Sequence, residues 1–476
     1  MKNKPLLEKM RDGEELTLSQ QLAMVFELSV PAILAQLSSL IMQYIDASMV
    51  GRLGASSSAA IGLVSSSTWL FGGLSMAAAT GFTVQIANYI GAKREKDARN
   101  IVKVGLAVVT LFSLILLAAG VSISRALPHL LGGDESICKE ASIYFLVFAL
   151  SIPFVVLNYT ASGMLQCSGN MKLPGILEAV MCFLDVVFNF LLIFPSRSVA
   201  ILDKTVTIPG AGLGITGAAL GTALSEAVVV LLLLYFLLVR SETLHVRKNE
   251  QLTIRKHDIR RALKIAVPVA IEQTITCGAY IAFTRIVSPL GAIAIAANSF
   301  GITAESLCYM PGYGIGASAT TIIGQCIGAK RHDLTKRLSR LTTLTGIFVM
   351  TISGGLMYIF APQMISLLTP DPAIQKLGAE ILRIEAFAEP MYAASIVASG
   401  VFRGAGETAI SGVLNFVSMW AVRIPLAAIL APTFGLHGIW TAMCIELIVR
   451  GTLFLILLFF KFRRQHAADT FRSGGS

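Results

Sequence analysis

Twelve ionisable residues stand inside stretches of chain that are otherwise apolar. They are Asp46, Glu178, Asp185 and Glu226 in the first half, and Glu272, Arg285, Glu305, Glu385, Glu389, Arg423, Glu446 and Arg450 in the second. A charge at bilayer depth costs at least about 2.5 kcal/mol unless it faces a cavity or a partner. Carboxylates kept at that cost suit the uptake and release of a proton or a small cation, and an amide beside them supplies a further oxygen or a donor. Asp185 and Asn189 are four residues apart and so share one helix face. Asp46 lies five residues before Gly51, roughly 7–8 Å along a helix, and Asn189 lies six before Pro195, roughly 9 Å. Asp46, Asp185 and Asn189 are therefore expected to converge in the outer half of the first lobe. Glu272, Glu305 and Glu389 each reach about 15–18 Å from a span edge and form a candidate second acidic site sharing a cavity. Arg285 and Arg423 are expected as charge partners that keep nearby carboxylates ionised.

Positioning these groups requires membrane helices. Hydrophobic residues make up 55% of the chain and charged residues only 14%, against roughly 25% charged in soluble domains. Apolar runs of spanning length are placed near 25–50, 58–84, 100–123, 139–167, 174–195, 211–239, 262–286, 293–326, 340–361, 377–402, 409–431 and 436–460. The second six repeat the first. Pro31 matches Pro268, Gln36 matches Gln273, and Ile90-Gly91-Ala92-Lys93-Arg94 matches Ile327-Gly328-Ala329-Lys330-Arg331, all 237 residues apart. A repeat with an even number of crossings re-enters from the same side, so the halves are parallel repeats. The expected architecture is an all-α polytopic protein of twelve transmembrane helices. Residues 1–239 form an N-lobe, 240–261 a linker and 262–476 a C-lobe. Pro31 removes a backbone donor early in the first span and is the expected hinge.

Basic residues crowd alternate loops: Lys2 to Arg11, Lys93 to Lys103, Arg240 to Lys264, Lys330 to Arg340, and Lys461 to Arg464. Such residues stay on the cytoplasmic side, so both termini are expected inside a cell (inner) membrane. The net charge of +10 then reports topology and not a nucleic-acid partner. Gly328-Ala329-Lys330 lacks the spacing of a phosphate-binding loop, and no ATPase subunit is implied. The six histidines lie in loops, tails or at a span edge, and the seven cysteines are scattered without a C-x-x-C pair. No metal centre, cofactor or catalytic constellation is expected, and the protein is read as a monomer in the lipid bilayer and not as an enzyme.

Four motifs carry a family resemblance. They are Asp46-Ala47-Ser48-Met49-Val50-Gly51-Arg52-Leu53-Gly54, the two Ile-Gly-Ala-Lys-Arg helix ends, Met310-Pro311-Gly312-Tyr313-Gly314, and Phe402-Arg403-Gly404-Ala405-Gly406-Glu407-Thr408. Together they resemble the MATE family, the multidrug and toxic compound extrusion transporters, over nearly the whole chain. The resemblance implies antiport, in which an amphipathic, cationic organic compound leaves as H⁺ or Na⁺ enters. It implies that Asp46 matches the first-helix aspartate used for coupling by DinF-like members, and that their fifth-helix Asn/Asp pair falls on Asp185 and Asn189 with the residue types exchanged. The NorM-like branch instead places carboxylates in the seventh and tenth helices, where Glu272, Glu385 and Glu389 stand. A Na⁺ ion would use Asp46, Asp185 and Asn189. A displaced carboxylate suits protonation better than a coordination shell, which favours H⁺. The alternative is a flippase for a lipid-linked oligosaccharide, but its pyrophosphate would call for a cleft rich in Arg and Lys, and the intramembrane set here is mostly acidic.

Overall fold

A backbone in hydrocarbon must satisfy its own hydrogen bonds, which restricts a chain of this composition to helices. The computed structural model describes residues 5–201, 204–247 and 250–473 and is helical nearly throughout. A short helix α1 (Leu6–Arg11) leads into α2 (Leu18–Gly51), α3 (Ala55–Gly91), α4 (Glu95–Ile123), the one-turn α5 (Leu127–Leu130), α6 (Glu135–Cys167) and α7 (Lys172–Ile193). An antiparallel hairpin, β1 (Pro195–Ile201) and β2 (Lys204–Ala211), joins α7 to α8 (Ile215–Tyr235). The second repeat runs through α9 (Lys256–Val287), α10 (Ala292–Gly328), α11 (His332–Ser366), α12 (Pro372–Glu385), α13 (Glu389–Gly404), α14 (Thr408–Val417) and α15 (Ile424–Ser473).

Nine helical stretches among the described residues are long and apolar enough to cross a membrane. One of them, Thr408–Lys461, is two spans meeting at Gly435, whose φ of 59° interrupts the helix. With α10 and the α12–α13 pair, the total is the expected twelve. The tenth span corrects an expectation: 377–402 is not one continuous helix but breaks at residues 386–388, between Glu385 and Glu389. Pro390 explains it, because a proline in the first turn of α13 has no N–H to continue the ladder from α12.

Contacts divide the chain into two compact units that do not follow chain order. One comprises Met1–Gln36, Ala87–Lys93 and Ile275–Ser476, and the other Leu37–Ile86 and Arg94–Thr274. Both first helices of the repeats are thus split, α2 after Gln36 and α9 after Thr274. Within the first of these units, the early part of α2 lies on α10. Ser29 Oγ and Ser318 Oγ are 2.8 Å apart, and a Cβ on Gly314 would come within 2.6 Å of the Ile33 nitrogen. Within the other, the early part of α9 lies on α3: Gln85 Nε2 donates to the Asp258 carbonyl at 3.0 Å, and a Cβ on Gly81 would come within 2.7 Å of the Ala262 carbonyl. Small residues let helices approach this closely where no water drives them together.

The repeated Gly-Ala-Lys-Arg ends are structurally equivalent too. Lys93 and Lys330 adopt left-handed conformations, with φ of 58° and 57°, to close the ends of α3 and α10. The Arg331 N–H then reaches back to the Cys326 carbonyl at 2.9 Å, the six-to-one bond that ends many helices. The glycines of the two motifs interlock: a Cβ on Gly91 would overlap the Gln325 carbonyl, and one on Gly328 would overlap that of Asn88.

Candidate functional site

Asp46, on the later part of α2, and Asp185 and Asn189, on α7, fall in one unit and touch. The Asn189 amide nitrogen donates one hydrogen to Asp46 Oδ1 at 2.8 Å and the other to Asp185 Oδ2 at 2.9 Å. Asp185 and Asn189 are fully buried, whereas Asp46 is half-buried. One amide therefore bridges an accessible carboxylate and an enclosed one. Ser225, on α8, directs its hydroxyl at Asp185 Oδ1 from 3.5 Å, the edge of hydrogen-bond range. The Asn189 carbonyl oxygen is buried without a hydrogen-bond partner and is aimed at Gly221, where a Cβ would overlap it. Gly221→Ala should therefore push Asn189 off both carboxylates at a cost of about 1–3 kcal/mol. A lowered unfolding temperature is the expected result, and an unchanged one would show that the Asn189 oxygen is not fixed against Gly221.

Two further carboxylates lie nearby in chain and unit. Glu178 of α7 accepts from Ser39 Oγ at 3.0 Å, and Glu226 of α8 accepts from the Asn158 amide at 3.4 Å. The partner of Glu226 and the contributions of Ser225 and Gly221 were invisible in sequence, because each comes from a helix whose rotation hydropathy does not specify.

The second candidate set is divided. Glu272 lies in the early part of α9, within the unit of Asp46, and Glu305 and Glu389 belong to the other unit. Glu385 and Glu389 flank the helix break, nearly inaccessible, and none of their four carboxyl oxygens has a hydrogen-bond partner. Glu305 instead lines a small cavity, with a water-accessible interior of about 30 Å³, together with Tyr280, Tyr309, Tyr392, Arg423 and Arg450. Arg423 faces that cavity together with Glu305 as an expected charge partner of the carboxylates around it, and its hydrogen bonds go to a further one. That one is Glu446, whose Oε2 accepts from Arg423 Nε at 2.9 Å and Nη2 at 2.6 Å and from Arg450 Nη2 at 3.1 Å. A widened π-helical turn at Ser418–Arg423 aims both Arg423 and the Ser418 hydroxyl at that carboxylate. The other expected charge partner, Arg285, is exposed. Among the described residues no group of three or more His, Cys, Asp or Glu is arranged to hold a metal ion.

The profile of the MatE family matches residues 31–191 and again 268–429, one match per repeat. A probable multidrug resistance protein NorM from Thermotoga maritima is 27% identical over 444 residues, covering 92% of this chain and 91% of the relative. A probable NorM protein from Oceanobacillus iheyensis is 23% identical, covering 93% and 98%. Among solved structures, a mutant of the MATE transporter VcmN from Vibrio cholerae superposes with a TM-score of 0.84 at 19% identity, over 94% of this chain and 98% of that one.

Proposed function

Because this chain belongs to the MatE family, we propose that it is a secondary antiporter that exports amphipathic, cationic organic compounds from the cytoplasm in exchange for an inward-moving cation. The observation that carries the reading is the amide bridge between accessible Asp46 and buried Asp185. The basic loops face the cytoplasm, with both termini inside and the protein in the cell membrane. In the export half-cycle the charged carboxylates draw an organic cation into a wet pocket. In the return half-cycle an incoming cation neutralises them, and the helices repack so that cargo leaves outward. The energy of the ion gradient enters through that neutralisation, since only a ligand with different affinity for the two conformations can shift them.

H⁺ is the coupling ion in this reading. A Na⁺ shell needs several oxygens converging at once, and here the Asn189 oxygen is turned toward Gly221 while its nitrogen occupies both carboxylates. A proton needs only one of those oxygens. Dye efflux from proteoliposomes tests the reading: an imposed pH gradient should drive it, and efflux driven by Na⁺ at clamped pH, with no response to the pH gradient, would overturn proton coupling. Within the same assay Asp185→Asn should impair efflux more than Glu226→Gln, because only Asp185 is joined to Asp46. Equal losses would make both of them packing residues.

A further inference from the structure

The segment before α2 is tied to both Gly-Ala-Lys-Arg corners. Met10 is fully buried with its sulfur 3.1 Å from Cys326 Sγ at the end of α10. Asp12 pairs with Lys93 at 2.5 Å, and Arg331 donates to the Glu14 carbonyl at 3.2 Å. These contacts bridge the two helix ends whose glycines interlock.

A second segment occupies the equivalent place before α9. Residues 250–255 correspond, at the repeat offset, to 13–18, and they are bound to the start of α4. Arg99, with 2% of its side chain exposed, grips the Glu250 carboxylate at 2.7–3.0 Å. Lys103 donates to the Glu250 carbonyl at 2.6 Å. Asn100 and the Thr253 backbone exchange two hydrogen bonds, of 2.7 and 2.9 Å, and Arg255 meets Asp97 at 2.6 Å. The Arg99 guanidinium holds the Glu250 carboxyl below its ordinary value. A lowered carboxyl value stabilises the contact above the ordinary carboxylate range, and that stability is lost only as pH falls through the lowered value. The tie therefore stays charged at any pH at which a proton gradient operates.

We propose that these two segments are cytoplasmic straps, the one before α2 fastening its helix to the ends of α3 and α10 and the one before α9 fastening its helix to the start of α4, and that the strap before α2 must release before the cytoplasmic face opens to load cargo. The strap contacts stand on geometry alone, and the release step rests on the orientation and the two-conformation cycle proposed above. Two measurements separate these parts. With the other six cysteines replaced, Cys326 becomes the sole thiol, and its modification rate from the cytoplasmic side reports strap opening without any transport. Asp12→Lys should raise that rate about tenfold, and adding Lys93→Asp should return it to the starting value. An unchanged rate in Asp12→Lys, or a raised rate that the reciprocal change does not lower, overturns the strap.

Met10→Cys in the same background places a second thiol across the contact, to be bridged to Cys326 by oxidation or by the shortest bifunctional thiosulfonate. Bridging should cut dye efflux at least about tenfold, and reduction should restore it. Absence of any bridge overturns the contact, and full efflux from bridged protein overturns the release step. If the reduced protein moves no dye at all, the antiport reading fails, while the labelling result still decides the strap.

Discussion

Asp46→Asn is expected to abolish the proposed coupled export while the protein still folds and inserts. The substitution keeps the shape of the side chain and an oxygen that can accept the 2.8 Å bond from Asn189. What disappears is the charge, and removing a charge from a half-buried site relieves a desolvation cost instead of adding one. Yield and unfolding temperature should match those of the parent protein, and gradient-driven dye efflux should fall to the level of empty liposomes. Efflux at the parent rate would show that the bridge of Asp46, Asn189 and Asp185 is a packing device and that coupling resides elsewhere in the chain.

Glu446→Gln should produce the opposite pattern, with a large loss of stability. Glu446 is fully buried and is the shared partner of Arg423 and Arg450, which are 7% and 8% exposed at their side chains. Neutralising it leaves two guanidinium groups with only Glu305 facing them across a small cavity, and breaking a buried pair from one side costs about 3–5 kcal/mol. The tyrosine ring of Tyr392, 5.6 Å from the Arg450 guanidinium, offsets only a small part of that. The check is detergent-solubilised thermal unfolding, together with the double variant Glu446→Gln/Arg450→Gln, which should recover part of the loss because one stranded charge is gone. An unfolding temperature equal to the parent's would mean that water reaches the arginines.

Different features of this chain became readable at different distances along it. The spans follow from composition over about twenty residues, and the parallel repeat from identities at a fixed offset. The meeting of Asp46, Asp185 and Asn189 follows from depth along straight helices and the four-residue spacing of one face. The break beside Glu389 was within reach, since Pro390 lies in plain view, but a single proline also sits inside helices such as α2 and α9 without ending them. The pairing of Glu446 was half legible, because Arg450 is four residues on, whereas Arg423 arrives through a π-helical turn that no hydropathy pattern encodes. The assignment of the early α9 residues, and with them Glu272, to the unit of Asp46 was not legible. It depends on Gly81 and Ala262 fitting each other across a long stretch of intervening chain.

The division of α2 and α9 bears on how such a chain came to exist. A single repeat standing alone would have an early first helix with no surface of its own to lie on, because in this protein that surface is supplied by the other repeat. An unduplicated ancestor could bury it only by lending it to a second copy and receiving the copy's in return, a reciprocal domain swap. Fusion of two such copies would convert an exchange between two polypeptides into one within a single polypeptide, with residues 240–261 as the expected seam. Severed at that seam, neither half should be recoverable as a folded protein by itself, whereas the two halves produced together should reassemble and transport; stable, monodisperse recovery of either half alone would exclude such an origin.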